Sequence, residues 1–351
     1  MRERNRMLDS LKGFAIILVV LGHVIQTVFA PDSYDDNAIF KIIYSFHMPL
    51  FIFISGYLSG CKERLDFNWI RRRFLRLGIP FWLWVFLDLI ICGKWSVAEL
   101  LESYFRVFYD PSDRGLWFLW VLFLCCILIY ICQNIIENVM KLFHKSRFQT
   151  MGSWRLELTV VFLVLAVLFG IWCLTGFTTV LGFRLCCKEA IFFISGYYIR
   201  KFKQSTNING KRLKKEIWIY VLYPISVCVW DRTHFVTFYD KLLEFAGDDI
   251  TLKAGVLGFA AIYFYWVSFL GIGFIWKIFE HITTRFQLIV LPQIGMYTME
   301  IYILHRYFFK RFIGQRWIDS ILSVILGIVM PVIIGKICSR SKVVSRVLFG
   351  K

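Results

Sequence analysis

Apolar runs of about 20 residues, separated by short charged stretches, recur from one end of this chain to the other. A run of that length crosses the hydrocarbon core of a bilayer as a helix, which satisfies its own backbone hydrogen bonds. On that rule helices fall over 11–30, 39–60, 74–92, 116–136, 157–175, 178–199, 216–230, 253–276, 288–309 and 317–338. The expected fold is all-α: a polytopic membrane protein with about ten transmembrane helices in a single domain over 1–351. Composition agrees, since 58% hydrophobic residues and a mean hydropathy of +0.62 exceed what soluble domains reach. The first run is followed at once by others and shows no small-residue cleavage site. It reads as a retained span, not a signal peptide.

The net charge of +17 sits between the apolar blocks and forms no single basic face, so nucleic acid is not an expected partner. Cytoplasmic loops collect Lys and Arg. Arg2, Arg4 and Arg6 precede the first span, and Lys62, Arg64 and Arg71–Arg73 lie in the second loop. Lys141, Lys145, Arg147 and Arg155 fill the fourth, "RKFKQSTNINGKRLKK" the sixth, and Arg340, Lys342, Arg346 and Lys351 the tail. Alternate loops such as "PDSYDDNA" lack cations, so both termini are expected in the cytoplasm. The loop at 310–316, with Lys310, Arg311 and Arg316, breaks the pattern. The cysteines form no CxxC pair and read as small buried hydrophobes, without metal or disulfide.

Ionisable residues inside a span are costly and tend to face a cavity or a bundle interior. His23 lies about 18 Å beyond the start of the first span, and Lys12, eleven residues earlier, shares its face. Asp9 points to the same side but sits about 21 Å from His23, which makes it a partner for Lys12, Arg6 or another basic group. In "SFHMPLFIFISGY", His47 enters from the opposite side to a similar depth, and Pro49 removes a backbone bond beside it, letting the helix open. An imidazole titrates near neutrality and suits general-base work; the plainer alternative for either ring is a hydrogen bond to a neighbouring helix. The run "RRRFLRLGIPFW" crowds Arg71, Arg72, Arg73 and Arg76 at the mouth of the third span, as a lipid-headgroup anchor or a grip on phosphates.

Weaker signals come from Trp117, an interfacial aromatic, from Glu189 within an apolar span, and from "IGMYTMEIYILHRYFF", which carries Glu300 and His305. "FIFISGYLSG" at 51–60 echoes "IFFISGYYIR" at 191–200, with Gly56 and Gly196 permitting close helix approach. Recurring packing explains this echo better than duplication.

Arg6-x-x-Asp9-x-x-Lys12-Gly13 with His23, then "FHMPLFIFISGYL", "RRRFLRLGIP", "GLWFL" and "IGMYTMEIYILH", in that order, resemble the acyltransferase 3 family, near its fucose 4-O-acetylase-like branch. The resemblance runs from residue 6 to about 308. It implies an O-acyltransferase of the plasma (inner) membrane that takes acetyl groups from cytoplasmic acetyl-CoA. The implied acceptor is a hydroxyl of a cell-surface glycan or glycolipid, with the lipid bilayer and a second copy of the chain as further partners. Carried over by position, His23 matches the essential first-helix histidine, acting as general base or acyl relay. Lys12 stands where Arg is common, and Arg71, Arg72, Arg73 and Arg76 match the basic motif linked to acetyl-CoA. With His47 and Asp9 these complete the expected catalytic and donor-binding set, while Trp117, Glu189 and His305 are candidates for contact with substrate. The rival reading is an exporter of a small polar substrate, because transporters also place ionisable residues and Gly/Pro interruptions at mid-membrane.

Overall fold

The computed structural model describes residues 5–60, 65–93, 96–111, 115–143, 153–174, 179–205, 217–310 and 312–351. Arg2, Arg4, Lys62, Arg64, Lys145, Arg147, Arg311 and 206–215 of the sixth loop lie outside them. The described residues hold helices and no strands. In chain order these are α1 (Arg6–Val24), α2 (Ala38–Ser59), α3 (Phe67–Arg73), α4 (Ile79–Ile91), α5 (Val97–Tyr109), α6 (Trp117–Phe143), α7 (Ser153–Leu174) and α8 (Phe183–Ser205). They continue as α9 (Ile217–Cys228), α10 (Tyr239–Ala246), α11 (Ile250–Arg285), α12 (Val290–Gly295), α13 (Thr298–Leu304), α14 (Arg316–Cys338) and α15 (Lys342–Phe349). Wide π turns extend α1 over Ile25–Phe29 and join α3 to α4 over Phe74–Gly78.

Six segments are long and apolar enough to cross a membrane: Arg6–Phe29, Ala38–Ser59, Phe67–Ile91, Trp117–Lys141, Ile250–Arg285 and Arg316–Cys338. The span expected at 288–309 is not one helix. It is α12, a break at Met296–Tyr297, α13, and a 3-10 turn over His305–Phe308. Gly295, which ends α12 just before the break, sits against the Asp9 carbonyl of α1, where a Cβ would collide. Three amphipathic helices, α5, α10 and α15, were not expected. α5 begins at a Ser96–Glu99 capping box, in which each side chain meets the other's backbone N–H.

The chain packs as two compact units. The first comprises residues up to Ile54 and from Thr206 to Ile337. Within it α1 packs most extensively on α12, and also on α11 and α13. Gly13 lies against the Leu291 carbonyl and Gly295 against that of Asp9, so two backbones touch where only glycine fits. Contrary to expectation, α2 does not open at Pro49 but runs through it. A proline at that position leaves the Ser45 carbonyl without its helical donor. The Ser268 hydroxyl of α11 donates to it at 2.8 Å, and both serines are fully buried. At the start of α14, buried Asp319 accepts the backbone N–H groups of Phe312, Ile313 and Gly314 at 2.9–3.0 Å.

The second unit comprises Ser55–Ser205 and Cys338–Lys351. Here α6 packs on α8 and α7, and α15 on α4 and the preceding π turn. The two echoed segments meet: Gly56 lies on the Phe193 backbone and Gly60 on the Tyr197 carbonyl, so the repeated small residue serves a helix crossing. Cys125, Cys126, Cys132 and Cys186 are buried.

Candidate active site

Three imidazoles gather in the first unit. The rings of His23, on α1, and His305, just beyond α13, lie 5.2 Å apart between centroids. His47, on α2, packs edge-on against Tyr44 at 4.7 Å, near enough to His23 for charge on the two rings to interact. His47 and His305 are buried and His23 is half-buried.

Each ring is oriented by its own stretch of chain. Nδ1 of His47 lies 2.8 Å from the Ile43 carbonyl, and Nδ1 of His305 lies 2.8 Å from that of Ile301. A carbonyl only accepts, so Nδ1 carries the proton in both neutral rings. That leaves Nε2 as the basic nitrogen, and Nε2 of His305 is buried with no hydrogen-bond partner among the described residues. Nδ1 of His23 faces Oε1 of Gln26 at 3.4 Å, one turn on. Donation to that amide oxygen leaves Nε2 of His23 basic as well. The Thr27 hydroxyl donates to the His23 carbonyl at 2.7 Å, where the helix widens into its π turn. Such widened turns are frequent at functional sites.

At the start of α1, Lys12 Nζ lies 2.6 Å from Asp9 Oδ1, so Lys12 is one of the partners expected for Asp9 that it meets. Glu300 is buried against Gly335 of α14. Two residues near the histidines escaped the sequence reading. Arg306 acts electrostatically on both His23 and His305, and Gln26 orients His23. The signal for Arg306 was its place directly after His305; for Gln26 it was the i,i+3 spacing from His23. On the loop side, Arg232 grips Asp35 through Nε at 2.6 Å and Nη2 at 3.1 Å, over the Tyr34 ring. This bidentate bond holds the guanidinium pKa above its ordinary value.

The arginine motif belongs to the second unit. Arg73 donates to the Ser59 hydroxyl at 3.1 Å and lies over the Trp69 ring. Arg72 makes a loose, exposed pair with Asp66 at 3.7 Å, while Arg71 projects outward. Arg76 rides in the π turn, with Arg73 close enough to repel it. Asp66 also caps α3 by accepting from the Trp69 N–H at 2.7 Å. Glu189 is buried on α8, with Oε2 unpartnered among the described residues, and Trp117 opens α6 with its ring edge-on to Phe118. The structure thus brings together His23, His47 and His305 in one unit, and Arg72, Arg73 and Arg76 on one turn-and-helix segment of the other. Trp117 and Glu189 belong to the second unit.

Six helices long and apolar enough to cross a membrane define the class, a polytopic membrane protein, and its first unit carries three oriented imidazoles. A family model described as an acyltransferase domain matches residues 5–340, and the chain belongs to that family, the acyltransferase 3 family of membrane acyltransferases. It is similar to the nodulation protein NolL of Mesorhizobium japonicum, 36% identical over 134 residues, which are 36% of this chain and 35% of that protein. It is also similar to the nodulation protein NolL of Sinorhizobium fredii, 37% identical over 133 residues and 34% of each chain. The matched stretch thus spans about a third of the length of either relative. No solved structure matches the chain.

Proposed function

We propose that the protein transfers an acetyl group from cytoplasmic acetyl-CoA to a hydroxyl of a cell-surface glycan or glycolipid, in the plasma (inner) membrane. The observation that carries this reading is the pair His23 and His305, each with Nδ1 engaged locally and Nε2 left basic. Nε2 of His23 removes the proton of the acceptor hydroxyl as its oxygen attacks the thioester carbonyl carbon. The C–O bond forms, the C–S bond breaks, and the departing thiolate of coenzyme A takes the proton back from His23. Nε2 of His305 and His47 offers acceptors to neighbouring acceptor hydroxyls, and the Arg306 guanidinium faces the negative charge that develops on the acyl oxygen. Arg73 and Arg76 hold the phosphates of the donor.

In this reading both termini are cytoplasmic and there are ten crossings. The six long spans are joined by α7, α8, α9 and the broken α12–α13 pair. The Gly13–Gly295 contact supports a fixed frame for the histidines, since it locks the broken pair onto the helix that carries His23.

The test uses protein in vesicles, with labelled acetyl-CoA on the cytoplasmic face and cell-wall glycans or glycolipids on the other. Label appears on the acceptor with the native chain and not with His23→Ala. Transfer that persists unchanged in His23→Ala removes the histidine from the reaction. Absence of coenzyme A binding, together with counterflow of a small polar solute, replaces this reading with export.

A further inference from the structure

The family match ends at residue 340, yet the helix beyond it, α15, is built onto the arginine segment. Phe349 is 2% exposed, with its ring 6.2 Å from that of Trp84 on α4. The Trp84 indole N–H donates to the Leu348 carbonyl at 2.9 Å. Gly350 then closes α15 in the left-handed region, at φ 64°, with its N–H returning to the Arg346 carbonyl. A Cβ at Gly350 would run into the carbonyl of Arg76, so the glycine lies flat on the backbone of that arginine. The opposite side of α15, with Lys342, Val343, Arg346 and Val347, is exposed.

Arg76 sits in the π turn over Phe74–Gly78, a rare winding found mostly as single-turn bulges inside α-helices and often at functional sites. Three successive residues of the chain, Leu348, Phe349 and Gly350, meet it and the helix that follows, at Trp84 and Arg76. We propose that α15 is a strap that positions the π turn, so that Arg76 is held where it meets the phosphates of the acyl donor. Gly350, Phe349 and Trp84 are positioning residues, acting through Arg76. The inference rests on the reading of Arg73 and Arg76 as the donor site.

The test compares steady-state kinetics of variants in vesicles, with acetyl-CoA varied at saturating acceptor. Gly350→Val drives a side chain into the Arg76 backbone and raises KM for acetyl-CoA about tenfold, with kcat within about twofold. Trp84→Phe keeps an aromatic ring beside Phe349 and removes the bond to Leu348, raising KM about threefold. Val343→Ala, on the exposed side, changes neither constant. In an Arg76→Ala background the Gly350→Val change adds nothing further to KM, which a general loss of structure would not reproduce. Unchanged KM in both Gly350→Val and Trp84→Phe, a fall confined to kcat, or full additivity with Arg76→Ala overturns the strap. Those results leave the donor-site reading intact provided Arg76→Ala itself raises KM. Unchanged KM in Arg76→Ala overturns the donor-site reading and the strap with it.

Discussion

The histidine cluster and the arginine segment are restrained in opposite ways. Each imidazole takes its orientation from within four residues of its own chain: His47 from Ile43, His305 from Ile301, His23 from Gln26. Arg76 rides on a π turn met by Gly350, and Trp84 of the helix that follows bonds to Leu348, both contacts reaching more than 260 positions along the chain. Local restraint fixes which nitrogen is basic. Remote restraint fixes where a cation points.

The largest test of this contrast is chemical. His23→Ala lowers kcat for acyl transfer about a thousandfold while the protein stays folded in detergent, measured by label transfer beside size-exclusion elution. His305→Gln, which cannot act as a base, lowers kcat by about tenfold to a hundredfold with little change in KM for acetyl-CoA. Arg76→Ala does the reverse, raising that KM about tenfold to a hundredfold with a smaller effect on kcat. If both histidine variants changed KM alone, the division between the two regions would be lost. On stability, Ser268→Ala strands the Ser45 carbonyl in a buried setting and costs about 1–3 kcal/mol, read as a lower unfolding temperature in detergent. The smallest effect belongs to the half-exposed pair on the loops: Asp35→Asn costs under about 1 kcal/mol by the same measurement.

What the sequence made legible follows this division between local and remote. The i,i+3 approach of Asp9 to Lys12 follows from helix period alone. The break at Met296–Tyr297 did not follow, because hydropathy averaged over 288–309 registers apolar content and not the contact of Gly295 with α1. α5 was written in the sequence as Ser96-x-x-Glu99, a capping box, but it is too short and too amphipathic to show in a search for spans. Lys310 and Arg316 were an exception to the charge pattern. The Asp319 carboxylate that organises the residues between them lies across a turn that no periodicity describes. The hold of α15 on Arg76 depends on a contact between distant parts of the chain, and only packing reveals it.

At 36 residues, α11 is about 54 Å long, against a hydrocarbon core of about 30 Å. Such a rod tilts or emerges from the membrane, and packing against neighbouring helices sets the tilt. Ser268 lies at its midpoint and is fastened to the carbonyl that Pro49 releases, two residues before His47. The midpoint of the rod is therefore pinned to the helix that carries His47, and the lengths that overhang the hydrocarbon core run from that pin toward either end.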